Sequence, residues 1–332
     1  MYIVDRQIQD LEAIERDDFQ EGLVSAVVPV YERKMETLVS CLEAISSQCY
    51  SPVEVLVVNN GARNIEEVLS RCVADVRVLN LKENLGASYA RNLGALESRG
   101  EFIWFVDSDI IDINTNCAGD MVAILEQHTD IGAVGGITYE NSAGETSVHV
   151  GQTIDNHYLE HTELFTLYDD LYVNTGCVMI RRRVLGRIGG FTEYIEYLHE
   201  DNDLGFKIKA CGLRCVGDSR AFGHHAPRLE EPLEMATQKM AYKNTLLYFL
   251  VNYQPVEFLS FLLLKLKHRK GSALSSPAGS PPQPFPVRVR QYSTKLFALF
   301  LVAMFLISKA ARVTEHRRDR QRLLRSLTEN QP

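Results

Sequence analysis

Four short, unbroken apolar runs, separated by segments with apolar residues at helical spacing, constrain what this chain can fold into. The runs are LVSAVVPVY (23–31), VEVLVVNN (53–60), VRVLNL (76–81) and EFIWFVD (101–107). They are rich in β-branched and aromatic residues and lack the alternation of a strand with one wet face. Both faces of such strands must therefore be covered. Between them lie METLVSCLEAISSQ (35–48), IEEVLSRCV (65–73) and ASYARNLGALES (87–98), which read as helices. Strands alternating with helices make an α/β fold with a Rossmann-like, mostly parallel sheet flanked by helices.

Ligands of such sheets bind beyond the carboxyl ends of the strands. Three of these ends are polar: Tyr31-Glu32-Arg33, Asn59-Asn60-Gly61 and Asp107-Ser108-Asp109. The sheet geometry predicts that they converge on one rim.

Farther along, a helix is expected near 120–128, then IGAVGGITY (131–139) and a loop-rich stretch to about residue 170. LYVNTGCVMIRRRVL (171–185) reads as a strand entering a helix, and GRIGGF (186–191) as a Gly-rich turn. HEDNDLGFKIKACG (199–212) reads as a helix with acids in its first turn, where the dipole favours them, and Gly212 as its C-cap. LRCVGDSRAFGHHAP (213–227) reads as a strand ending in paired histidines.

The chain has 332 residues, 45% hydrophobic and 23% charged, enough for one large domain and an appendage. The expected division is a lead-in over 1–22, the α/β domain over 23–230 and apolar helices over 231–270. A flexible, Pro- and Ser-rich linker over 271–286 and a basic amphipathic helical tail over 287–332 follow. No basic, apolar leader opens the sequence, so a cytoplasmic protein is expected. The seven cysteines are odd in number and scattered, which suits reduced, buried thiols. Cys211 and Cys215 have no second pair to build a zinc site with them.

The net charge of −8 divides unevenly. Residues 265–325 hold fourteen Lys/Arg and two acids, leaving 21 bases and 41 acids elsewhere. An acidic body excludes a nucleic-acid-binding role, while the basic tail suits an anionic membrane surface or solvent. LFALFLVAMFLI (296–307) would span about 18 Å as a helix, against a bilayer core of about 30 Å. It can lie in the interface at the inner face of a membrane, or pack on the domain or a second subunit.

Asp107 and Asp109 close a buried run, and a buried unpaired carboxylate is costly. In an extended segment both point the same way. Two such oxygen donors suit Mg²⁺ or Mn²⁺, which also bind substrate phosphates.

Taken together, VVPVYER, VVNNGA, NLGASYARNLGAL, FIWFVDSD, RRRVLGRIGGFTE, HEDNDLGFKIKACG and the paired histidines resemble the family 2 glycosyltransferases of the GT-A fold. The resemblance covers residues 22–255. It implies an inverting, metal-dependent enzyme moving a sugar from a nucleotide-sugar donor to an acceptor hydroxyl on a glycan, lipid, small molecule or protein. It also implies roles for particular residues. Pro29 and Tyr31 would touch the nucleotide. Asn60 would contact the base, in an Asn59-Asn60 pair where the family usually has Asp-Asp or Asp-Asn. Gly86 would allow close backbone approach, and Arg91 would reach the base or diphosphate. Asp109 would ligate Mn²⁺ or Mg²⁺, with Asp107 and Ser108 on the donor side. His224, or its neighbour His225, would be a further ligand. Asp201 would be the general base, with Glu200 and Asp203 as neighbours. Gly189-Gly190-Phe191 would shape the sugar pocket.

Two other classes use a similar sheet. A nucleotidyltransferase or a dehydrogenase would place a Gly-rich loop after the first strand, where this chain reads VPVYERKMET. A nucleotide-sugar-binding scaffold without activity would not need Asp107, Asp109 and Asp201 together.

Overall fold

The computed structural model describes residues 2–3, 11–15, 18–31, 35–72, 75–142, 145–149, 151–152, 167–170, 172–195 and 199–226. The expected helices over 231–270, the linker, the basic tail and the apolar stretch 296–307 lie outside the described residues. No helix among the described residues is long and apolar enough to cross a membrane.

The first half alternates as the apolar runs require. Strand β1 (Tyr2–Ile3) and a 3₁₀ turn at Leu11–Glu15 precede β2 (Gln20–Val30), α1 (Met35–Ser46), β3 (Val53–Asn60), α2 (Ile65–Leu69) and β4 (Arg77–Leu81). Next come α3 (Ala87–Glu97), β5 (Gly100–Val106), β6 (Ile110–Ile111) and α4 (Cys117–Gln127). The second half holds β7 (Ile131–Ser142), β8 (Glu145–His149), β9 (Gly151–Gln152), β10 (Leu167–Asp170), β11 (Tyr172–Val173) and β12 (Cys177–Arg181). It closes with α5 (Arg182–Arg187), α6 (Glu200–Ala210) and β13 (Arg214–His225). The stretch read as loops to about residue 170 therefore contains β8, β9 and β10.

Among the described residues one sheet runs β1-β4-β3-β2-β5-β12-β7-β13-β10, with β6 beside β13 and β8 beside β7. Strands β1 to β5 pair in parallel. Strand β12 then runs antiparallel to both β5 and β7, while β7 and β13 are parallel. The carboxyl ends of β2, β3, β4, β5, β7 and β13 thus face one rim, and β12 starts there.

Both faces of the parallel half are covered, as its patterning demands. Val24, Ala26 and Val28 join Leu38 and Leu42 of α1 and Met121 and Leu125 of α4 in one cluster with Trp104. Val27, on the opposite face of the same strand, meets α3. A Cβ on Gly94 would stand 2.2 Å from Val27 Cγ1, so the absence of a side chain there sets how closely α3 lies on the sheet. Trp104, in the middle of β5, is fully buried.

The turn from β12 to α5 carries a buried cation. Arg182 donates through Nε to Gly100 O at 2.6 Å, through Nη1 to Ala95 O at 3.1 Å and through Nη2 to Ser98 Oγ at 2.6 Å. These bonds fix the end of α3 to the start of β5 and replace the water that the guanidinium loses on burial.

Candidate functional site

The site is built from the rim ends of β3, β5 and β13, the first turns of α3 and α6, and the turn between Asn174 and Cys177. Asp107 N donates to Gly176 O at 2.9 Å, one step beyond the β5–β12 ladder. Ile110 N then donates back to Asp107 O at 2.9 Å and closes a four-residue turn. The strand has therefore ended before Ser108, and the alternation expected to align Asp107 with Asp109 does not operate.

The two carboxylates diverge. Asp107 Oδ1 accepts Arg91 Nη2 at 2.8 Å. Asp109 Oδ2 lies 3.4 Å from His225 Nδ1, with both side chains nearly enclosed. The histidine beside Asp109 is thus His225 rather than the expected His224. His224 instead stacks on Tyr139, ring centroids 5.3 Å apart. Successive strand residues point to opposite faces, so only one of the two can serve this position.

Ser108 was expected on the donor side, but it is fully buried. Its carbonyl accepts Thr37 Oγ1 at 2.8 Å and so anchors the turn to α1.

Asn60 holds the loop before α3. Its Nδ2 donates to Asn84 Oδ1 at 2.9 Å and to Gly86 O at 3.1 Å, and its Oδ1 accepts Leu85 N at 2.9 Å. An amide offers two donor hydrogens and an oxygen with two lone pairs, so both hydrogens here hold loop 84–86 while the oxygen keeps one lone pair beyond its bond from Leu85 N. Gly86, at φ 91, starts α3 in a conformation that favours glycine. Pro29 stands in β2 opposite Val58, and Tyr31 just beyond it is 42% exposed, open to a ligand at the rim.

Arg91 was expected to reach a ligand. It is instead 2% exposed, with Phe191 under its guanidinium at 5.4 Å. Nη2 reaches Asp107, and Nη1 reaches Glu200 Oε1 at 3.3 Å. Burial pulls its pKa down, but the charges of Asp107 and Glu200 outweigh that and hold it above the ordinary value.

Helix α6 opens with Glu200, Asp201 and Asp203 in its first turn. His199 before it adopts φ 69. Asp203 is buried and turned from the rim. It accepts Thr192 Oγ1 at 2.5 Å and lies 3.7 Å from Lys207 Nζ, which donates to Gly190 O at 2.8 Å. Asn92 completes this anchor, donating to Phe191 O at 2.9 Å and accepting Phe191 N at 2.7 Å. Gly189-Gly190-Phe191, at φ 67 and 60 for its glycines, is thereby clamped between α3 and α6.

That anchor leaves Asp201 as the rim carboxylate. It is half-buried, and Oδ1 accepts Asn202 N at 2.8 Å. Loss of water around it, then the negative charge of Glu200, push its pKa up to about 7, against the counter-pull of Arg91. A carboxylate titrating near neutrality can accept a proton from a hydroxyl in the working range of an enzyme.

A divalent cation has two donors to meet here, the Asp109 carboxylate and the His225 imidazole. Among the described residues no cluster of three or more His, Cys, Asp or Glu is assembled. The 3.4 Å pair nonetheless fits an ion such as Mn²⁺ whose remaining positions go to water and substrate phosphates.

Two residues escaped sequence reasoning. Asn174 donates to Thr138 Oγ1 at 3.1 Å and accepts Gly176 N at 2.8 Å. A Cβ on Gly176 would approach Asp107 Oδ2 at 3.4 Å. The Asn-Thr-Gly triplet before an apolar run was the available signal, a turn at the rim end of a strand.

Residues 25–189 match the family model described as Glycosyl transferase family 2. Over 226 residues the chain is 28% identical to the O-antigen biosynthesis protein RfbC of Myxococcus xanthus, covering 61% of this chain and 17% of that protein. Over 186 residues it is 26% identical to an uncharacterized glycosyltransferase of Haemophilus influenzae, covering 56% of this chain and 62% of that one. The fold matches the crystal structure of GalNAc-T7 with UDP, GalNAc and Mn²⁺ at a TM-score of 0.55 and 16% identity. That match covers 69% of this chain and 48% of the other. The chain thus spans less than two thirds of the length of each of these proteins.

Proposed function

We propose that this chain, which belongs to the family 2 glycosyltransferases and has the GT-A fold, transfers a sugar from a nucleotide-sugar donor to an acceptor hydroxyl with inversion at the anomeric carbon. The observation that carries this reading is Asp201. It is a carboxylate at the start of α6 whose pKa burial and Glu200 raise to about 7, and the adjoining Glu200 shares Arg91 with Asp107.

Asp201 takes the proton of the acceptor hydroxyl while that oxygen attacks the anomeric carbon from the face opposite the leaving group. The bond between the anomeric carbon and the diphosphate oxygen breaks, and its electron pair leaves with the nucleoside diphosphate. One displacement inverts the configuration. Tyr31, exposed at the end of β2, contacts the nucleotide, and the second oxygen of Asp107 faces the donor.

Asp109 and His225 would hold a divalent cation, Mn²⁺ or Mg²⁺. When bound, such an ion neutralises charge on the departing diphosphate. GalNAc-T7, whose fold this chain shares, was crystallised with UDP and Mn²⁺, which supports testing UDP-linked donors and that ion first. The acceptor is a hydroxyl compound of a glycan, lipid, small molecule or protein, and the basic residues of 287–332 suit one held at an anionic membrane surface.

The test is release of nucleoside diphosphate from a panel of UDP- and GDP-linked sugars with Mn²⁺. Wild-type release that is lost in Asp201→Asn, while the donor still binds, supports the reading. An Asp201→Asn variant that keeps near-normal turnover refutes the base assignment.

A further inference from the structure

The Arg91 guanidinium joins the two halves of the proposed chemistry. It is 2% exposed, and its two terminal nitrogens reach carboxylates of this chain. Its Nη2 holds Asp107, at the turn that carries Asp109. Its Nη1 holds Glu200, the residue immediately before Asp201 on the first turn of α6. Phe191 stacks beneath it and belongs to the glycine turn that Asn92 and Lys207 pin to α3 and α6. A planar fork with donors at fixed angles can bridge two carboxylates in one geometry, which a flexible ammonium cannot do as well.

We propose that Arg91 is a positioning residue that sets the distance between the donor-binding turn at Asp107 and the base-bearing turn at Asp201, with Glu200 as the second half of the strut. This rests on the glycosyl-transfer reading above. Arg91 touches neither substrate in this assignment; it acts through Asp107 and Glu200. Reaching the attack geometry depends on the base and the anomeric carbon being placed within a fraction of an ångström, and a misplacement of about 1 Å costs about 100-fold in rate. The strut also explains why a cation is buried at this point: both carboxylates it holds are themselves largely enclosed, at 23% and 11% side-chain exposure.

The experiment compares Arg91→Met, Arg91→Lys, Glu200→Gln and the Arg91→Met/Glu200→Gln double variant in the full chain. Two readouts are taken: steady-state release of nucleoside diphosphate from the UDP- or GDP-linked sugar that wild type turns over, and amide exchange across α6. Arg91→Met is expected to lower kcat about 100-fold with donor KM changed less than about threefold. Arg91→Lys recovers part of the loss, because the charge remains and the fork does not. The double variant is no worse than the poorer single variant, since both remove one strut. Exchange at Asp203 N, which makes the first helical bond of α6 to His199 O, rises in the variants while α4 is unchanged. A loss confined to donor KM would make Arg91 a donor contact and overturn the proposal, as would strictly additive losses or unchanged α6 exchange. If Arg91→Met does not fold, Glu200→Gln and Arg91→Lys carry the same two readouts. Asp201→Asn run in parallel separates the two levels. If it keeps turnover, the base reading fails; if it loses turnover while Arg91→Met keeps wild-type kcat and exchange, only the strut fails.

Discussion

His225 Nδ1 stands 3.4 Å from Asp109 Oδ2, whereas the adjacent His224 stacks on Tyr139. The pair splits because neighbouring strand residues face opposite ways. If Asp109 and His225 hold the cation, Asp109→Ala and His225→Ala each weaken Mn²⁺-dependent binding of UDP by at least about tenfold, roughly 1.4 kcal/mol. His224→Ala leaves that binding within about twofold. Calorimetric titration of UDP with and without Mn²⁺ checks all three.

Asp201 gives a signed pH dependence. Its pKa is raised from 3.8 to about 7, and a general base works only when deprotonated. Turnover should therefore fall about tenfold per pH unit below 7 and level off above it, as read from a pH–rate profile. Stability carries the opposite slope. A carboxyl whose folded pKa is raised contributes stability that is present below its unfolded pKa and lost as pH rises through 7. Asp201→Asn should accordingly raise the melting temperature at pH 8 and change it little at pH 3, below the unfolded pKa.

Asn60 separates loop-holding from base contact. Asn60→Asp would replace two donor hydrogens with oxygen against Asn84 Oδ1 and Gly86 O. The expected cost is about 1–3 kcal/mol for unsatisfied or repelling groups in a buried site. A fall in melting temperature, present without any nucleotide, distinguishes this from a base-recognition effect.

Lys207 and Asp203 form a buried pair on α6, at 4% and 1% side-chain exposure. Lys207→Met leaves the Asp203 charge without its cation and removes the bond to Gly190 O. Breaking a buried pair this way costs about 3–5 kcal/mol. Urea unfolding should show a lower midpoint at unchanged m-value.

The parallel half of the fold was legible because burial on both faces leaves continuous apolar runs, and each run is bounded by a helix with its own spacing. Strand direction in the second half was not. The run that becomes β12 reads the same whether it lies parallel or antiparallel to β5, since orientation is set by which rim the chain returns from. At the site, residue types were legible and contacts were not. Asp107-Ser108-Asp109 announced a polar strand end, but the turn closed by Ile110 N sends the carboxylates apart and buries Ser108. Arg91 looked free to meet a ligand because its two carboxylate partners lie 16 and 109 residues away along the chain. The hold of Asn60 on its loop was hidden for the same reason: its partners sit 24 to 26 residues on. Asp203 is buried against Thr192 and Lys207 while Asp201 is not, since residues two apart on a helix do not share a face.

The central claim is that Asp201 is the base for sugar transfer from a nucleotide sugar. Its most direct test is nucleoside-diphosphate release by wild type and Asp201→Asn, each saturated with the same UDP- or GDP-linked sugar and Mn²⁺. Release by wild type should be at least about 100-fold faster than by the variant, with donor affinity within about threefold. Equal release by the two proteins would contradict the claim.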